Sequence, residues 1–102
     1  MDSKVVKIVI NECYGGFDLS PLAIEKYSFI KGVNYSDVRG YDFQRDDPIL
    51  IRLVNEMGRD VNGQFSRLVI KDVDKGRNYI IHEYDGFEEI WYEDSIDWLI
   101  AE

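Results

Sequence analysis

The chain has 102 residues, 45% hydrophobic and 31% charged, with a formal net charge of −8. That is the make-up of a folded soluble protein with room for one core rather than two. No run approaches the roughly 18 apolar residues of a membrane-spanning helix, and one cysteine, Cys13, excludes an internal disulfide. The opening MDSKVVKIVINE carries an acid at once and only a short apolar run, unlike a signal peptide, so a reducing cytoplasmic setting is expected.

The first predicted element is a strand over Lys4–Ile10. It is rich in β-branched residues and nearly continuous in its apolarity, the mark of a central strand. Ser20-Pro21 then reads as a helix cap followed by a proline at the first helical position, where no hydrogen bond is lost. This helix carries Leu22, Ala23, Tyr27 and Ile30 and stops at Gly32. The stretch from Gly32 to Gln44 is polar and aromatic and reads as a loop with a turn at Gly40. Asp47-Pro48 repeats the cap-then-proline pattern, and Leu50, Leu53, Val54 and Met57 recur at helical spacing up to Gly58. After a turn at Asn62-Gly63, strands are expected over Phe65–Asp72, Tyr79–Tyr84 and Phe87–Tyr92. Asp74-Lys75-Gly76 turns the chain between the first two. Asp85-Gly86 joins the last two, since both residue types tolerate the positive φ of a type I′ hairpin. Ser95 would cap a last helical turn with Ile96, Leu99 and Ile100.

The order is β-α-α-β-β-β, so residues 1–102 are expected to form one small α+β domain. An antiparallel meander would be joined by the N-terminal strand, with two helices on one face. A sheet this small could bury its second face in a homodimer, since Ile80, Tyr84, Ile90 and Tyr92 could leave apolar area exposed.

Charge is unevenly placed. Residues 1–82 hold 12 acidic and 12 basic side chains, whereas residues 83–102 hold eight acidic ones and no Lys or Arg. The whole excess therefore falls on the C-terminal hairpin and the last ten residues of the chain, interleaved with Phe87, Trp91, Tyr92 and Trp98. Such a surface repels nucleic-acid phosphates and attracts a basic partner, and it also serves simply as a solvated face. Glu88, Glu89, Trp91, Glu93 and Asp94 are the candidate partner-binding residues.

A second candidate site is the stretch INECYGGFDLS, between the first strand and the first helix. Gly15 and Gly16 let another group approach the backbone closely. The helix start adds unpaired N–H groups and a partial positive charge, which suit a phosphate or carboxylate. Tyr14 and Phe17 could stack on a flat ring, and Asn11 could bond a base or the loop's own backbone. Arg45 and Arg52 offer forked counter-charges, unless they pair with Asp46, Asp47 or Glu56. With Cys13 and Tyr84 these make up the candidate ligand set. The loop has neither the GxGxxG pattern nor a lysine after its glycines, and Asp18 competes for the same N–H groups. Its other reading is a tight connection whose aromatics close the end of the core.

Cys13 and His82, with Glu12 or Glu83 to orient the ring, would make a nucleophile and base if the fold brought them together. A buried cysteine is more often a small apolar residue. One Cys and one His show no metal-ligand spacing, and neither a metal nor another cofactor is expected.

Three blocks resemble a widespread family of short proteins encoded by bacteriophages, prophages and other DNA viruses. They are Asn11, Cys13, Tyr14, Gly15, Gly16, Phe17, Leu19 and Ser20; then Arg45, Asp47 and Pro48; then Glu83, Tyr84, Asp85 and Gly86. After Ile90 the chain departs from that family's basic segment and continues Trp91-Tyr92-Glu93-Asp94-Ser95. The resemblance implies a virus-encoded accessory protein in the host cytoplasm, engaged in virus–host conflict. The residues suggest that it holds a small anionic or nucleotide-like ligand at the glycine-aromatic loop without catalysing a reaction. The first alternative is an inhibitor that docks its acidic hairpin on a basic host protein, such as one that binds nucleic acid. The second is a small enzyme using Cys13. Direct contact with nucleic acid or with a membrane is not expected.

Overall fold

A computed structural model describes residues 4–38 and 43–93. The turn expected at Gly40, the helical turn expected from Ser95 and the candidate residue Asp94 lie outside the described residues.

Strand β1 (Val5–Asn11) pairs antiparallel with β2 (Leu68–Asp74), Val9 opposite Ile70 and Asn11 opposite Leu68. Strand β2 thus starts later than the expected Phe65 and runs on through Asp74. Strands β3 (Tyr79–Tyr84) and β4 (Phe87–Tyr92) form a hairpin closed by Asp85 and Gly86, with φ of 51° and 90°. Both bounds of that hairpin match the sequence pattern.

Four strands do not make one meander. Two separate two-stranded ribbons form, β1–β2 and β3–β4, with no ladder between β2 and β3 among the described residues. The reason is that the first ribbon is apolar on both faces. On one face Val9, Leu68 and Ile70 join the core under the helices; on the other Ile8, Ile10 and Val73 pack against Ile81, Ile90 and Tyr92 of the hairpin. A hairpin lying beside β2 in the same plane would have left that second face in water. Burial on both faces also explains the continuous apolarity of β1, which is paired along only one edge. Along its other edge the Val9 N–H donates to the Arg45 carbonyl at 2.8 Å. Ile90 and Tyr92 therefore point inward and cannot serve the homodimer face proposed for them; Ile80 and Tyr84 remain exposed.

Helix α1 (Pro21–Lys31) begins as its sequence dictates: the Ser20 hydroxyl accepts from the Ala23 N–H, and Gly32 ends the helix in the left-handed region. Its core face is Ala23, Ile24, Tyr27 and Ser28, leaving Leu22 and Ile30 in solvent. The expected loop after Gly32 contains a one-turn helix, α2 (Tyr35–Val38), whose Val38 is buried. Helix α3 (Pro48–Met57) buries Leu50 and Leu53, and a 3₁₀ turn, Gly58–Val61, extends it. Both long helices cover one face of the β1–β2 ribbon.

Asp47 ties the helices together. One carboxylate oxygen caps α3 by accepting from the Ile49 N–H, and the other accepts from the Tyr27 hydroxyl. Burial, and then Asp47, hold the Tyr27 pKa above its ordinary value, which is about 10. Below that value Tyr27 is protonated in folded and unfolded chains alike, and its contribution to stability is complete. Above it the unfolded chain loses the proton first, so stability falls as pH rises toward the folded pKa. Tyr27→Phe should therefore lose less stability than wild type between about pH 9 and about pH 11. Urea midpoints at the two pH values check this, and equal losses in both proteins would refute it.

Candidate functional site

The loop between β1 and α1 is anchored at both ends. At its start Asn11 is fully buried. Its side-chain amide donates to the carbonyls of Cys13 and Gly86, both at 2.8 Å, and its side-chain oxygen accepts from the Arg67 N–H at 2.7 Å. At the other end the Asp18 carbonyl accepts from the Gly63 N–H and the Ser66 hydroxyl, while Leu19 bridges to Asn62.

The glycine pair is approached closely, but by the protein itself. A Cβ on Gly15 would lie 2.0 Å from the Cβ of Phe65 and 2.1 Å from its carbonyl oxygen. The hairpin turn rests on the same loop, since a Cβ on Gly86 would lie 2.5 Å from the Gly16 nitrogen. Gly15 and Gly86 are thus the sites where three segments of main chain meet, and no ordinary side chain fits between them.

The two aromatics beside the glycines have opposite fates. Phe17 packs half-buried against the core, 5.9 Å from the Phe43 ring and with the Arg45 guanidinium 3.9 Å from its own ring centre. Tyr14 is exposed and leans on Phe87 of the hairpin at 5.1 Å.

Neither arginine proposed for a ligand is spare. Arg45 forks onto Glu88, its Nη1 reaching Oε1 and its Nη2 reaching Oε2 at 2.8 Å. The partner is a residue 43 positions away, not Asp46 or Asp47. Glu88 Oε1 also accepts from the Asn11 N–H at 2.9 Å. This pair lies along the unpaired edge of β1 and satisfies backbone groups that would otherwise be open there. Arg52 pairs with Glu56 one helical turn on, at 2.9 Å, on the exposed side of α3. Asn11, Phe17 and Arg45 are therefore committed to the fold, and so is Glu88, which removes it from the candidate partner-binding residues.

Glu88 had a legible signal. It alternates with Ile90 and Tyr92 on the face that turns inward, and an acid on such a face needs a partner. Nothing in the spacing names Arg45 as that partner.

The opposite face of the hairpin is left outside. Cross-strand pairs Ile80–Trp91, His82–Glu89 and Tyr84–Phe87 share it. Trp91 and His82 stack at 3.7 Å with an angle of 4° between rings. Tyr84 is 71% exposed, Tyr14 beside Phe87 64% and Ile80 52%. Glu83, Asp85, Glu89 and Glu93 are exposed on or around the hairpin. Of the partner-binding residues proposed from sequence, Glu89, Trp91 and Glu93 are on or beside this surface. Ile80, His82, Phe87 and Tyr14 belong to it too, and the alternation along β3 and β4 would have found the first three.

The pairing needed for a cysteine nucleophile does not form. Cys13 lies in the anchored loop and His82 is held against Trp91, and no hydrogen bond joins them. No group of three or more His, Cys, Asp or Glu side chains among the described residues could hold a metal ion. No helix among them is long and apolar enough to cross a membrane.

Compared with known proteins, the chain matches no family model, no curated protein and no solved structure.

Proposed function

We propose that the protein is a virus-encoded accessory protein of the host cytoplasm that acts by binding, and that it docks the outer face of its C-terminal hairpin on a basic segment of a host protein. The observation that carries this reading is an aromatic face ringed by carboxylates. Ile80, Tyr84 and Trp91 are exposed together on one side of the hairpin, with acids and no Lys or Arg along its strands. Rings of this kind take arginine and lysine side chains on their faces, and flanking carboxylates hold the charge in place. The acidic excess draws such a partner in from a distance and keeps nucleic acid away. The viral setting comes from the resemblance of the three sequence blocks.

This reading takes precedence over a small ligand at the glycine loop. The side chains that would hold a phosphate or carboxylate beside that loop, Arg45 and Asn11, are already bound to Glu88, Cys13, Gly86 and Arg67, and the close approach that Gly15 allows is taken by Phe65.

The test is affinity purification from infected cells, followed by titration of the recovered partner with purified variants. Trp91→Ser and Tyr84→Ser are each expected to weaken binding by about 2 kcal/mol, some thirty-fold, as central aromatic anchors do. Glu89→Lys should slow association and flatten its dependence on salt. A partner that binds all three variants as well as wild type would refute the reading.

A further inference from the structure

Helix α1 is apolar on more than the side that faces the core. Its inner face is closed by Ala23, Ile24 and Tyr27, yet Leu22, Phe29 and Ile30 are 51%, 86% and 39% exposed. Apolar side chains on a second side, beyond the stripe that meets the core, leave apolar area in water. Leu22, Lys26, Phe29 and Ile30 follow helical spacing, and together with Leu53 and Arg52 of α3 they line a groove of about 420 Å³ between the two helices. Phe29 stands at the edge of this groove as the most exposed large apolar side chain described.

From this we infer that two copies of the chain meet at the α1–α3 groove about a two-fold axis, Phe29 of each entering the groove of the other. A two-fold contact joins the same patch to itself, so the patch must carry both the projecting group and the recess. This one does, since knob and groove share one surface.

Charge selects a second copy over other occupants. The groove is lined by Glu25 and Glu56 against Lys26 and Arg52, so its charged side chains sum to zero on a chain whose net charge is −8. Two copies meeting here bring no like-charge excess together: Arg52 and Glu56 are paired within α3, and Glu25 of one copy can face Lys26 of the other across the axis. Two copies meeting at the hairpin would oppose acid to acid. A basic partner, which the hairpin suits, finds no complement in a neutral groove. The dimer suggested by the two-sided sheet is thereby moved from the hairpin to the helices, and the two surfaces lie on opposite layers of the fold.

Sedimentation equilibrium of the full chain over the micromolar range tests this. Wild type should show a concentration-dependent mass rising toward two chains. Phe29→Asp should raise the dissociation constant at least ten-fold while leaving the circular dichroism unchanged, and its melting temperature should equal that of wild type at dilutions where both are single chains, because Phe29 is in solvent there. Leu22→Lys, at the other end of the groove, should act in the same direction and provides a second reading should Phe29→Asp misfold. Trp91→Ser should leave the dimer intact while weakening partner binding some thirty-fold. A mass of one chain at every concentration would overturn the inference. So would a dimer equally strong in Phe29→Asp and Leu22→Lys, or one lost in Trp91→Ser.

Discussion

Arg45→Met is expected to destabilise the protein by about 3–5 kcal/mol, the cost of leaving one member of a buried ion pair without the other. Glu88 is 6% exposed, and the Arg45 side chain retains only 23% of its accessible area. Removing the guanidinium strands a carboxylate whose remaining partner is the Asn11 N–H. It also takes away the cation lying over Phe17 and the weak donor to the Val9 carbonyl. At about 4–8 °C per kcal/mol for a domain of this size, the melting temperature should fall by more than about 12 °C. The informative comparison is with the double variant Arg45→Met, Glu88→Gln. Glutamine keeps an oxygen for the Asn11 N–H and carries no stranded charge, so the double variant should be more stable than Arg45→Met alone. Urea denaturation of the four proteins gives the coupling energy directly. A loss below about 1 kcal/mol for Arg45→Met would show that the pair behaves as an exposed one.

Asn11→Ala should have a comparable effect by a different route. The side chain makes three hydrogen bonds, to two carbonyls and one N–H, and their partners lie in three different segments. Each buried group left unpaired costs about 1–3 kcal/mol, so a total near 3 kcal/mol is expected. Asn11→Asp should do no better. It keeps the acceptor for Arg67 but turns two donors into an oxygen facing the Cys13 and Gly86 carbonyls. The specific signature is loss of hydrogen-exchange protection at the Arg67 amide, together with release of the hairpin turn from the glycine loop. A change within about 0.5 kcal/mol, the range of an ordinary surface substitution, would contradict this role. Because the Asn11 side chain holds the hairpin turn at Gly86, two residues before Glu88, and Arg45 bonds Glu88 itself, the two substitutions should not add.

These two residues explain why the glycine-aromatic block looks like a binding loop in the sequence. Glycine pairs, a polar Asn and a nearby Arg are what a ligand cradle needs. They are equally what the protein needs where a loop, a hairpin turn and the Phe65 segment are pressed together. The spacing is the same in both cases. Only the atoms found against Gly15 and Gly86 tell them apart.

The amino-acid sequence by itself determined the elements whose causes are local. Ser20-Pro21 and Asp47-Pro48 start the two long helices, Gly32 and Gly58 stop them, and Asp85-Gly86 closes the hairpin, each through bonds or dihedrals within a few residues. The acidic excess of the C-terminal stretch and the outward rings of β3 and β4 were legible in the same way, from residue order and a period of two. Tertiary structure alone decided that the strands divide into two ribbons, that Glu88 belongs to Arg45, and that Gly15 is filled by Phe65. Those outcomes join residues 43, 50 and more positions apart. Their energies depend on which faces can be buried at once, and no local preference encodes that choice.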